Sequence, residues 1–243
     1  MIYMGSKNRH AKELLPIILR NRQEGQWFVD VMCGGANLVD KVDGNRIAND
    51  INKFVIAFLK EMQKPDFELP FISEELWLDM KSNKSTGKYP DWVLGFAGYS
   101  LSFGGKWFNS YRREVAGDKS RENEIDQNRK AYKNIMKQRE LLSGIDFYNL
   151  DYQDVVIPDN SIIYCDPPYA DTGKYTAIGS FDHTRFWEWC NRMVDAGHDV
   201  YVSEYNAPDN WVCVWEKHVK GNLALDTGSK NSVEKLFIRE DKL

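Results

Sequence analysis

Cysteine and histidine are both scarce in this chain of 243 residues. The four cysteines (Cys33, Cys165, Cys190, Cys213) form no C-x-x-C pair, and the four histidines (His10, His183, His198, His218) are scattered. Spacing of this kind argues against a zinc site and against a disulfide framework, and fits a reducing cytoplasm. No metal is expected. Long apolar runs are missing too, and no basic-then-apolar leader opens the chain. Neither a membrane span nor a secretory signal is therefore expected. Excess positive charge is also lacking: the net charge is −4 and the sequence pI about 5.7, which excludes a wholly basic nucleic-acid binder. There is no internal repeat. Neither G-x-G-x-x-G nor a G-K-[ST] loop occurs, so neither usual device for holding a pyrophosphate is available.

What is present reads as an α/β chain. SKNRHAKELLPIILRNR (6–22) has an amphipathic helical pattern bent or entered at Pro16. WFVDV (27–31) is a short buried strand, and MCGGANL (32–38) a glycine turn leading into a helix. RIAND (46–50) is a second strand, and INKFVIAFLKEMQ (51–63) a second helix. This alternation opens a doubly wound sheet. It resumes with strands in DFYNLDYQDV (146–155) and SIIYCDPPY (161–169), then a helix around 183–197. Further strands follow at 199–205, 211–217 and 234–240.

Between these halves the texture changes. After a linker-like KPDFELPF, Ser73 is placed to cap a short helix over 73–83. An aromatic, glycine-rich and basic stretch runs over 91–114. A long polar helix over 120–143 carries Ile125, Tyr132, Ile135, Met136 and Leu142 along one side. Residues 66–142 thus form an insert between 1–65 and 143–243. From Gly104 to Glu140 there are ten lysines and arginines against six acids, a basic lobe on an acidic body. A solvated, salt-bridged helix face would have the same composition; a polyanion-binding surface is the sharper alternative.

Three places carry chemistry. Gly34 and Gly35 follow Asp30 at a strand end, where glycines let a ligand approach the backbone. Asp50 closes the next strand, the position from which an acid accepts ribose hydroxyls. Without a pyrophosphate device, a nucleoside fits such a site better than a dinucleotide. The third place is Asp166-Pro167-Pro168-Tyr169. The carboxylate only accepts hydrogen bonds, and the prolines have no N–H, so the turn is stiff and rich in acceptors. Tyr169 adds a stacking face. Acceptors beside an aromatic ring suit an exocyclic aromatic amine, whose lone pair is freed when both hydrogens are accepted. The site then works by positioning and electrostatics. Cys165 reads as a small buried strand residue, and no Pro-Cys dipeptide occurs to supply a cytosine-C5 nucleophile.

YMGSK (3–7), FVDVMCGG (28–35) and DPPY (166–169), in this order, resemble the DNA adenine methyltransferases of the Dam type across most of the chain. The resemblance implies a seven-stranded, Rossmann-like methyltransferase sheet with a mostly helical recognition insert. It implies S-adenosylmethionine as cofactor, touched by Tyr3, Lys7, Asp30, Gly34, Asp50, Asp151 and Asp166. It implies Asp166, Pro167, Pro168 and Tyr169 as the catalytic turn, acting on the N6 amine of adenine flipped from double-stranded DNA. Two departures are the DVMCGGAN turn, where the family often has Glu-Pro-Phe, and Tyr3 in place of tryptophan.

In the insert, Lys106, Arg112 and Arg113 are phosphate anchors on this reading. Trp107, Phe108, Asn109 or Tyr111 would brace the gap left by the base, or pack the insert on the sheet. Cytosine-N4 methylation, RNA or protein methylation, and a catalytically inactive DNA-binding relic are the alternatives. A bacterial or phage enzyme acting in a bacterial cytoplasm is expected. It could be solitary or paired with a restriction endonuclease, with no obligate protein partner.

Overall fold

The computed structural model describes residues 1–169, 181–219 and 232–243. Its centre is a seven-stranded sheet of order β3-β2-β1-β4-β5-β7-β6. The strands are β1 (Phe28–Asp30), β2 (Arg46–Asn49), β3 (Ile145–Tyr148), β4 (Ile162–Cys165), β5 (Asp199–Glu204), β6 (Trp211–Val219) and β7 (Ser232–Arg239). The first five run parallel; β7 enters antiparallel between β5 and β6. This is a seven-stranded, Rossmann-like α/β sheet, the architecture that the motif order implied.

The central strands are apolar on both faces because both are covered. On β4, Ile162 and Tyr164 enter one core, and Ile163 and Cys165 the other. The first core takes in α1 (Ala11–Ile18) and α2 (Lys53–Met62); the second takes in α6 (His183–Asp195). Cys165 is thus a buried strand residue, as its position suggested.

The insert has α3 (Glu74–Asn83), α4 (Asp91–Gly95) running into a π-helical turn (Phe96–Ser100), and α5 (Arg121–Arg139). Ser73 caps α3, its hydroxyl accepting from the Leu76 N–H at 3.1 Å. The insert does not build a core of its own. Trp77, Phe96 and Phe108 join Phe58 and Leu59 in the first core. A Cβ on Gly95 would lie 2.2 Å from the Phe54 carbonyl oxygen, so α4 lies directly against α2.

Two expected elements differ. The glycine turn leads into no α-helix, only a 3₁₀ turn over Val39–Lys41. Met1, Tyr3 and Asn37 crowd Gly34 and Gly35 from above, and Ala36 takes a left-handed φ of 55°, which breaks helical geometry. In α5, Ile125 and Tyr132 are exposed, while Asn123, Gln127, Ala131, Ile135 and Gln138 form the buried face. The polar members of that face hold neighbouring groups. Gln138 donates to the Gly35 carbonyl and to Asp40, each at 2.9 Å, and Asn123 accepts from the Glu114 N–H at 3.1 Å.

Candidate active site

The order β3-β2-β1-β4 reverses direction between β1 and β4, and the crevice beyond the carboxyl ends there is where open α/β sheets bind ligands. Five neighbouring parallel strands deliver an acid to that edge. Asp30 ends β1 and Glu204 ends β5; Asp50 and Asp166 directly follow β2 and β4; Asp151 lies just beyond β3. Of the sequence-predicted residues, Tyr3, Lys7, Asp30, Gly34, Asp50, Asp166 and Tyr169 gather at this edge.

Lys7 is their hub. It sits in a 3₁₀ turn that Ser6 caps, ahead of α1, and it is only 8% exposed. Its ammonium lies 2.9 Å from Asp166 Oδ1 and 2.6 Å from the Tyr169 hydroxyl. It also reaches Glu234 Oε2 on β7 at 3.3 Å, and the Tyr169 hydroxyl donates to that same oxygen at 2.7 Å. Burial works against the Lys7 charge, but Asp166 and Glu234 outweigh it and hold the ammonium above its ordinary pKa. Burial raises the Asp166 carboxyl, with Glu234 adding to the rise and Lys7 and Tyr169 opposing it.

The ring of Tyr169 meets Tyr205, just past β5, at 4.5 Å and 74°. Tyr205 is held by its own N–H, which donates to Glu204 Oε1 at 2.7 Å. Pro167 is buried, so the turn after β4 is anchored at its middle.

Asp30 is almost wholly buried. It accepts from the Met32 N–H, but its Oδ1 has no hydrogen-bond partner among the described residues. Burial, with Asp166 close by, pushes its carboxyl well above the usual range. Asp50 is buried as well and better satisfied, accepting from Gly34 N–H and Asn52 N–H at 2.8 Å each. Burial still raises its carboxyl. Beside it Ile51 is half exposed, with Tyr148 and Leu150 also open at the ends of neighbouring strands. These apolar side chains were not read as site residues from the sequence; a hydrophobic residue left at a carboxyl edge was the available signal.

The glycine turn holds part of the chain itself. A Cβ on Gly34 (φ 48°) would lie 2.6 Å from the Tyr3 ring. That ring meets Tyr99 at 4.9 Å, Tyr99 meets Trp107 at 4.9 Å, and Trp107 stacks on Phe54 at 4.7 Å. Tyr3 therefore borders the site as part of an aromatic row joining the glycine turn to the insert. Asp151 is a cap: its carboxylate accepts from Gln153 N–H at 3.1 Å, at the far end of the acid row. That separates it from the Lys7 cluster.

The predicted DNA contacts divide. Asn109 is exposed, and Lys106 and Arg112 are half-buried. Tyr111 is a correction. It is buried, packs edge-on to Trp77 at 5.9 Å, and its hydroxyl donates to the Ile72 carbonyl at 3.1 Å, so it belongs to the insert's core. Phe108 is buried in the same core. Arg113 is a second correction: its guanidinium is paired with Glu74 at the start of α3 and so is not held out for phosphate.

No protein-family model matches the chain. Among solved structures it is similar to yhhF from Escherichia coli, described as a candidate methyltransferase. The identity is 12%, the TM-score 0.39, and the match covers 98% of this chain and 89% of that one. It is also similar to SMU.472, a candidate methyltransferase in complex with SAH. There the identity is again 12%, the TM-score 0.35, and the coverage 96% of this chain. This chain spans about half the length of that protein, 52%. Neither likeness bears on substrate.

Proposed function

We propose that the protein transfers a methyl group from S-adenosylmethionine to the N6 amine of adenine in double-stranded DNA. The observation that carries this reading is the Asp166–Tyr169 turn at the sheet's reversal point, its carboxylate fixed by Lys7 beside the Tyr169 and Tyr205 rings.

The residues fit the cofactor. Among the described residues Asp30 has an unpartnered buried carboxylate oxygen in a crevice dominated by acids, and a cationic amino acid moiety would relieve it. Asp50 and the open Ile51 suit a nucleoside's hydroxyls and flat base. Bound there, S-adenosylmethionine supplies an electrophilic methyl carried on a sulfonium. Asp166 accepts hydrogen bonds from the target amine and orients its lone pair, and Tyr169 stacks on the flipped ring. With the cofactor held there, attack by the oriented lone pair would displace S-adenosylhomocysteine, and the amine's surplus proton would pass to solvent. Lys106, Arg112 and the exposed Asn109 remain the insert residues that support duplex binding.

The test is expression in a methylation-deficient host, followed by modification-sensitive sequencing. One sequence motif carrying N6-methyladenine, absent with Asp166→Ala, is expected. N4-methylcytosine, or no modified base from folded protein that binds S-adenosylmethionine, would overturn the assignment to DNA adenine.

A further inference from the structure

Glu234 is the one member of the Lys7 cluster that the motifs do not contain. It reaches the cluster because β7 inserts antiparallel beside β5, which brings the start of β7 to the carboxyl edge. An ammonium has three N–H donors. Around Lys7 lie three acceptors: Asp166 Oδ1, the Tyr169 hydroxyl and Glu234 Oε2. The Tyr169 proton is directed to Glu234 as well. Glu234 thus shares donors that also lie against Asp166, the other carboxylate beside Lys7. An ionised Asp166 has about four acceptor sites, so each donor that Glu234 shares leaves Asp166 with more capacity for an incoming amine.

We infer that Glu234 is a positioning residue for the transfer: it shares Lys7 and accepts a hydrogen bond from the Tyr169 hydroxyl, so that Asp166 keeps acceptor sites for the target amine. This rests on the function proposed above. Charge works the same way. Asp166 faces Lys7 from the N-terminal segment, Glu234 from β7, Tyr169 from its own turn, Asp30 from β1, Asp50 from the end of β2, and Tyr164 and Cys165 from β4. Glu234 faces Lys7, Tyr169, Tyr164 and, across the start of α1, His10. A carboxylate at 234 raises the Asp166 carboxyl, and its neutral isostere removes that rise.

The experiment compares wild type with Glu234→Gln and Glu234→Asp, reading steady-state methyl transfer to duplex DNA and the Asp166 carboxyl midpoint by ¹³C NMR titration. Glu234→Gln is expected to lower kcat at least about tenfold, with S-adenosylmethionine and DNA affinities retained. Its Asp166 midpoint, and with it the acidic limb of the rate profile, moves to lower pH. Glu234→Asp keeps the charge and holds the Asp166 midpoint near that of wild type. An unmoved Asp166 midpoint in Glu234→Gln, whether kcat falls or not, overturns the inference, as does wild-type kcat in that variant. The NMR midpoints decide this even where wild type itself methylates no DNA adenine, a result that would instead sink the functional reading.

Discussion

Arg113 shows how one side chain can be claimed by two kinds of partner. In the sequence it sits in YRRE, beside aromatics and another arginine, and phosphate is the natural partner. In the fold, Glu74 at the first turn of α3 takes it, and both side chains are mostly buried. Arg113→Ala should therefore cost about 1.5–3 kcal/mol of stability, the range for a hydrogen bond to a charged group. It should leave the salt dependence of DNA binding unchanged. A flatter salt slope in a variant of wild-type stability would return Arg113 to the phosphate backbone. The residues legible from sequence were those whose role is local. Asp166 and Tyr169 belong to one turn, and Asp30 and Asp50 end their strands. Glu234 and the Arg113–Glu74 pair were not legible, because each role is set by a partner brought from far along the chain.

At the scale of elements, the insert is fastened by a close approach of backbone to backbone. Met4 N–H donates to the Gly105 carbonyl at 3.2 Å, and a Cβ on Gly105 would meet Tyr3 N at 2.9 Å and Cα at 3.0 Å. Gly104 has a similar positive φ, 66° against 65°, but open space around it. The two glycines therefore separate backbone strain from crowding. Gly104→Ala should cost about 1 kcal/mol from the left-handed backbone alone. Gly105→Ala should cost about 1–3 kcal/mol more, as overpacking does. Thermal denaturation of both variants measures the difference; equal losses would show that the Tyr3 segment is not pressed on the insert. The central strands were legible because burial on both faces writes itself into short continuous apolar runs such as IIYC. The face of α5 was not, since Asn123, Gln127 and Gln138 turn inward to satisfy loop groups, and that need is invisible in hydrophobic spacing. The helix expected after the glycine turn failed for a related reason: the chain's first residues pack on that turn and set its path.

Across the whole molecule, the row of acids at the carboxyl edge sets a pH signature. Burial is the main cause that raises Asp30, Asp50 and Asp166 above the ordinary carboxylate range. A carboxyl whose pKa is higher in the folded state than in the unfolded one holds its proton longer when folded. Its contribution to stability is complete below the unfolded carboxylate pKa and is lost as pH rises through the raised one. At neutral pH these groups therefore oppose folding. Asp30→Asn should melt above wild type at neutral pH, with the gap closing toward acid pH, while its affinity for S-adenosylmethionine drops. At about 2–4 °C per kcal/mol for a chain of this size, calorimetry resolves the shift. A lower melting temperature at neutral pH would mean that Asp30 is satisfied in the free protein.

The placement of β7 between β5 and β6 also bears on when the Lys7 cluster is completed. In chain order Lys7 comes first, then Asp166 and Tyr169, and Glu234 follows all six other strands of the sheet. Five parallel strands can assemble behind the emerging chain, since domains fold from the N-terminal side as they are made. The ring around Lys7 closes only when the final hairpin slots into the sheet. A chain that has not yet placed β7 would carry the motifs intact yet lack the second carboxylate for Lys7.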